Sequence, residues 1–365
     1  MERFVPFLIV GLLAACPAPR KPPVKPLPPG GTEKLSWVRV TGTDGIPAEP
    51  PAVGTYRIHL IDVGTGLSIL IQGADFTMLY DAGSNDREEQ PTRVIEYLRA
   101  AVGPSGDDLC AGGAEKGAKL SLDHVVLSHP HFDHASAMDL VLHCYEVRTF
   151  WDSGRVHPTV FYRELLAVIS ETAGLVYRTA AEVPPSREVT VRDMRVRIPV
   201  WERFSDGDVV KLGAGAQFTI LHAEGKPVKD PNQNSIVLAV QLGSARLLLV
   251  GDAESGDRKD PVYPPGDVEE YLIDHHKEAI RSDILQVGHH GSKTSSRRAF
   301  LEAVRASLAL VSSGPKRYGK IVLPDREVIE ELKAQGATIL RTDEHDDVCI
   351  DGPGGCDSWV ITIKP

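Results

Sequence analysis

From Tyr56 to the C-terminus, short apolar runs alternate with stretches whose apolar residues return every three or four positions. Residues 56–64 (YRIHLIDVG), 67–72 (LSILIQ), 77–83 (TMLYDAG), 124–129 (HVVLSH), 218–223, 235–242, 245–252 and 359–363 predict strands. They are rich in aliphatic and β-branched residues and are bounded by turn formers. Residues 91–102, 161–174, 267–280, 297–306 and 325–336 carry the helical period instead. Residues 189–200 predict a hairpin, and residues 103–119, rich in glycine and aspartate, an inserted surface loop. Strands interleaved with helices indicate a layered α/β architecture. No linker-like break interrupts residues 56–365, which therefore read as one domain.

The first 55 residues follow another pattern. Arg3 precedes an apolar stretch from Phe4 to Leu13, and Ala14-Ala15-Cys16 follows, which predicts a secretory signal over residues 1–15. The Leu13-Ala14-Ala15-Cys16 ending resembles the lipobox of bacterial lipoproteins. That resemblance implies that Cys16 is lipidated, and that the chain is exported and lipid-anchored at a membrane surface of the bacterial cell envelope. Seven prolines within residues 17–31 favour an extended polyproline stalk. Residues 16–55 read as linker, with 32–55 as its tail. No apolar run reaches the length of about eighteen residues that a membrane span needs.

With 42% hydrophobic and 25% charged residues in 365, the composition excludes a disordered or collagen-like chain. A formal charge of −10 argues against a protein that mainly coats nucleic acid, while leaving room for a local basic groove. Beyond Cys16 four cysteines remain, an even number that suggests disulfides in an exported chain. Cys349 and Cys356 bracket a turn-rich loop and are the first expected pair. Cys110 with Cys144 follows by elimination.

The strongest chemical signal is Ser128-His129-Pro130-His131-Phe132-Asp133-His134, directly after an apolar strand. Imidazole and carboxylate donors at this density suit zinc, and equally manganese or iron. His129 and His131 can point the same way from an extended segment. Asp133 and His134, on the following turn, can address a second ion. Further polar residues end apolar runs: Asp81 in LYDAGS, Asp252 in LLLVGDAE, and His289 and His290 in LQVGHHGSKTSS. His59, within a strand, reads as a packed rather than a catalytic histidine.

The HxHxDH segment resembles the first ligand motif of the metallo-β-lactamase superfamily, and the other segments follow in matching order. Residues 59–71, 128–138, 232–241, 250–254, 287–296 and 311–319 are most similar to the soluble hydrolase domain of the ComEC competence proteins. The resemblance implies a four-layer αββα sandwich over residues 56–365 and two divalent metal ions. His129, His131, Asp133, His134, Asp252 and one of His289 and His290 would be ligands, with His289 preferred. Asp252 would bridge the ions, and Asp133 and Asp252 would be catalytic. Asp81 would orient a metal-binding histidine from behind. Asn234, Ser292 and Lys293 are candidate substrate contacts, and Arg297, Arg298, Lys316, Arg317 and Lys320 a candidate phosphate-binding rim.

Two departures stand out. Residues 230–235 (DPNQNS) lack the histidine that many superfamily hydrolases carry there, as the competence branch does, and Tyr318-Gly319-Lys320 stands where that branch has Tyr-Gly-His-Pro. The implied chemistry is hydrolysis by hydroxide held on the ions, with a phosphodiester, nucleic acid among them, as the first substrate class. A carboxylic ester, lactone or lactam is the second. The third reading is a non-catalytic metal-binding surface lipoprotein, against which the retained ligand set argues.

Overall fold

The computed structural model describes residues 34–86, 92–112, 117–345, 355 and 357–365. Its apolar runs are buried on both faces, so successive residues feed different cores. Along Gly66–Gln72, Ile69 and Ile71 enter one cluster and Leu70 another. Along Ala245–Leu249, Leu247 and Leu249 share the first of those clusters and Leu248 turns to a third. A strand's period of two, with apolar residues at every position, therefore builds three cores from two sheets.

Among the described residues the two large sheets have nine and seven strands, and two small sheets have two strands each. Between the large sheets lie Ile58, Met78, Tyr80 and Trp151 from the first and Phe218, Ile220, Leu238 and Leu310 from the second. The helices Thr92–Ala101, Met138–Cys144 and Val160–Glu171 cover the outer face of the first sheet through Val94, Leu98, Val141, Leu165 and Ile169. Asp267–His276, Arg298–Val304 and Arg326–Ala334 cover the second through Leu272, Phe300, Leu301, Val328 and Leu332. The result is the expected αββα sandwich.

Each sheet changes from antiparallel to parallel pairing partway across. Thr77–Ser84 runs parallel to Ser121–Leu127 in the first. Ala245–Leu249, Ile284–Gln286 and Leu308–Val311 run parallel in the second. Parallel strands share one carboxyl edge, where chemistry gathers in open α/β sheets. Asp81 directly follows the parallel-paired stretch of its strand, and His129, Asp252, His289 and His290 lie just beyond their strand ends.

The folded body begins earlier than the composition suggested. Lys34–Val40 pairs along its length with Ser358–Lys364, which in turn pairs with Tyr56–Leu60. Val40 and Ile46 are buried in the helix-facing core, so much of the segment read as linker tail is fold. The alternation in Lys34–Val40 (KLSWVRV) was masked by the proline-rich stretch before it, and its partner strand is the last in the chain. Residues 103–119 are more than a loop. Asp108–Ala111 forms a helical turn, and Cys110 is buried and bonded to Cys144. The expected signal, Cys16, and the Cys349–Cys356 pair lie outside the described residues. Among the described residues no helix is long and apolar enough to cross a membrane.

Candidate metal centre

Asp81 organises the first sheet's half of the site. It sits at φ 58° directly after the stretch of its strand that pairs with Ser121–Leu127, a left-handed conformation costing about 1–2 kcal/mol for a residue with a Cβ. Its Oδ1 accepts the Ser128 amide at 2.7 Å, and its Oδ2 accepts both the Ser128 hydroxyl and His134 Nδ1 at 2.7 Å. The Ser128 hydroxyl, its proton given to Asp81, accepts from His129 Nδ1 at 3.0 Å. Both imidazoles are thereby fixed with Nε2 turned toward the second sheet. His131 is extended (φ −84°, ψ 153°) and caps the short helix Phe132–Ala135, which carries Asp133 and His134. That helix lies so close to the sheet that a Cβ on Gly83 would stand 2.6 Å from its backbone.

The second sheet supplies Asp252 and the Gly288–Gly291 turn. His134 Nε2 lies 3.2 Å from Asp252 Oδ1, without hydrogen-bond alignment. His129, His289 and His290 place Nε2 3.9, 3.8 and 3.7 Å from Asp252 Oδ2. His290 is also 3.7 Å from Asp133 Oδ2, and its Nδ1 donates to the Ser312 carbonyl at 2.9 Å. Two groups of donors result, His129–His131–Asp252 and Asp133–His134–His290, each with its atoms within 4.8 Å of one another.

Of the two adjacent histidines, the geometry brings His290 into the second group, where the sequence reading preferred His289. His289 and His290 have φ 49° and 54°, so the chain turns sharply between them and their rings diverge. His290 is buried. His289 is partly open to a pocket, and its Nδ1 is held by Glu254 Oε1 at 2.6 Å and Thr294 Oγ1 at 2.8 Å.

The carboxylates draw positive charge into the cluster, as a site for cations requires. Burial opposes a charge on His134, but Asp252 and Asp81 on either side hold it well above its usual range. Burial likewise opposes ionisation of Asp252, yet His134, His290 and His289 hold it well below the usual carboxylate range. Burial pushes His129 well down, which keeps it a neutral donor. His134 Nε2, Asp252 Oδ1 and His290 Nε2 are buried without hydrogen-bond partners. Orphaned polar atoms normally cost about 1–3 kcal/mol each. Their convergence on one point fits divalent cations with mixed nitrogen and oxygen coordination.

Over the cluster opens a pocket of about 550 Å³ that reaches His131, Asp133, Asp252 and His289. Phe132, Phe161 and His157 form one wall and Tyr318, Ile321 and Leu323 another. Ser292 lines it, its hydroxyl accepting from Arg258 at 3.1 Å. Asn234 and Lys293 are not brought there. Asn234 accepts from Arg155 at 2.7 Å and donates to the carbonyls of Glu224 and Lys226, fastening a loop. Lys293 Nζ reaches Asp260 at 3.1 Å and Glu327 at 3.2 Å. Arg297 is buried and clamps the carbonyls of Asp257, Lys259 and Lys293, and Arg298 pairs with Glu331, so neither makes a rim. His222 donates to the Ser235 carbonyl and stands outside both groups. Arg258 and Glu254 went unnoticed in the sequence, since neither lies in a ligand-like spacing.

The fold and the paired His/Asp clusters at its edge define a metallohydrolase scaffold. Residues 61–314 match the metallo-beta-lactamase superfamily, and the chain belongs to it. It is 27% identical over 290 residues to Recombination protein 2 of Haemophilus influenzae, covering 79% of this chain and 28% of that protein. It is 26% identical over 233 residues to ComE operon protein 3 of Bacillus subtilis, covering 63% and 24%. It is also 26% identical over 317 residues to Competence protein ComA of Neisseria gonorrhoeae, covering 86% and 35%. The matched region thus amounts to about a quarter to a third of these competence-protein relatives.

Proposed function

We propose that this protein is an exported, lipid-anchored, metal-dependent hydrolase that cleaves phosphodiesters, with nucleic acid as the substrate class. The observation that carries this reading is the convergence of two His/Asp groups on Asp252 beneath a pocket with aromatic walls. Two divalent cations, zinc or else manganese or iron, supply Lewis acidity and an acidified water when bound.

The chain's own groups do the rest. His129, His131 and Asp252 would hold one ion, and Asp133, His134 and His290 the other. Asp252 lies between the two groups. Asp133, which lines the pocket, would orient a water there, and Asp81 fixes the ring of His134. Arg258, held by Ser292 and Asp325, presents a cation at the pocket wall to an anionic substrate. Phe132, 44% exposed and 5.3 Å edge-to-face from Phe161, offers a stacking surface for a base. The names of the relatives, which concern competence and recombination, support the choice of nucleic acid. The Cys110–Cys144 bond supports export, because such bonds persist in oxidising compartments.

The metal-loaded full chain should hydrolyse bis(p-nitrophenyl) phosphate faster than p-nitrophenyl acetate or a lactone. Its affinity for oligonucleotides should fall steeply as salt rises, through counterion release. Phe132→Ala should raise KM for aryl or nucleotide diesters with less effect on kcat. Ester or lactone turnover without phosphodiester turnover, or salt-independent oligonucleotide binding, would overturn the phosphodiesterase reading.

A further inference from the structure

One more buried atom near the centre lacks a partner. Asn232 Oδ1 makes no hydrogen bond, although Asn232 is only 4% exposed. The residue lines the same pocket as His131, Asp133 and Asp252 and belongs to the short 3-10 turn Pro231–Asn234. That turn is tied to the ligand-bearing strand ends. Asp230 accepts the Asn232 amide at 3.0 Å. Three residues on, the Ser235 hydroxyl accepts the Asp252 amide at 3.2 Å, and the Ile236 amide donates to the Ser128 carbonyl at 2.9 Å.

Asn234, two residues away, spends both ends of its amide on protein partners. The turn can therefore satisfy an asparagine, yet it leaves Asn232 Oδ1 orphaned on a residue that lines the same pocket as His131 and Asp252. The first donor group offers two imidazoles and one carboxylate. A neutral amide oxygen would make four, and these are the residues that lack the histidine many superfamily members carry.

We infer that Asn232 is a ligand to the ion held by His129, His131 and Asp252, and that it biases this position toward a hard cation. An amide oxygen is a harder donor than an imidazole, so replacing nitrogen by oxygen moves preference from zinc toward manganese. The inference rests on the metal-centre reading above.

The test is calorimetric and spectroscopic, with no substrate present. Full-length protein is stripped of metal and titrated with Mn²⁺ and with Zn²⁺, and bound Mn²⁺ is followed by electron paramagnetic resonance. The wild type should take two ions. N232A should bind the Mn²⁺ of one position about tenfold or more weakly while keeping the other. N232D, which retains an oxygen, should restore it, and N232H should favour Zn²⁺ over Mn²⁺ at that position. If N232A binds both ions with wild-type affinity, the assignment of Asn232 is wrong and the centre stands. A wild type that binds neither metal removes the centre itself. Should N232A not fold, the ratio of zinc to manganese affinity in N232D and N232H decides, and an unshifted ratio overturns the assignment.

Discussion

Asp81 Oδ2 and His134 Nδ1 lie 2.7 Å apart, both fully buried, behind the cluster rather than within it. The contact orients His134 and raises its basicity toward whatever its other nitrogen meets. Asp81→Asn keeps one acceptor oxygen, so its NH2 would face either the His134 N–H or the Ser128 amide N–H. The variant is expected to fold and to bind one of its two ions about 10–100-fold more weakly. Competition with a chromogenic chelator measures this, and unchanged affinity would show that the contact serves only packing.

His290 and His289 should separate cleanly. His290→Ala removes a buried group facing both Asp133 and Asp252, and should leave one ion per chain. His289→Ala should keep both ions and lose turnover, because His289 lines the pocket and is anchored on Glu254. Metal counts that fall equally in the two variants would refute the distinction.

Two histidines away from the site set an acid limit on stability. Burial lowers His59 from 6.5 to about 3, its ring held between the Tyr97 hydroxyl at 3.0 Å and Gln72 Oε1 at 2.9 Å. Burial lowers His124 to about 4, with Trp151 Nε1 donating to its Nδ1 at 3.2 Å. Both are neutral when folded and take up a proton on unfolding below pH 6.5. Their contribution is therefore complete above pH 6.5 and is lost as pH falls, at about 1.4 kcal/mol per pH unit for each group. Denaturant melts at several pH values should show a shallower acid slope for His59→Asn than for the wild type. Parallel slopes would mean that His59 is not held neutral.

The Cys110–Cys144 bond closes a loop across a separation of 34 residues. Loop entropy alone predicts that Cys110→Ser with Cys144→Ser loses about 4 kcal/mol. Thermal melts of the oxidised wild type and the double variant compare them directly. Equal midpoints would show that the bond adds nothing to stability.

What could be read from the sequence was what lies contiguous or at strand ends. His129, His131, Asp133 and His134 fall within one turn of backbone, and Asp81 and Asp252 end apolar runs, so local pattern alone located them. His59 was rightly placed in the core. The choice between His289 and His290 was not legible, because two successive left-handed residues break the alternation that tells which ring faces in. Asn234 and Lys293 have suitable chemistry, but distant partners, Arg155 for one and Asp260 and Glu327 for the other, decide where they point. Arg258 matters only through Ser292 and Asp325, respectively 34 and 67 residues on. The strand Lys34–Val40 was lost for a similar reason, since its partner is Ser358–Lys364.

The most direct test of a two-ion centre is elemental analysis of the purified full chain beside Asp252→Ala. Asp252 lies within 3.9 Å of four histidines drawn from both halves of the site. Two transition-metal ions per wild-type chain are expected, with both positions depleted in the variant while the fold persists. A wild-type protein that is metal-free as isolated and refuses added zinc and manganese would contradict the centre, and with it the assignment of hydrolysis.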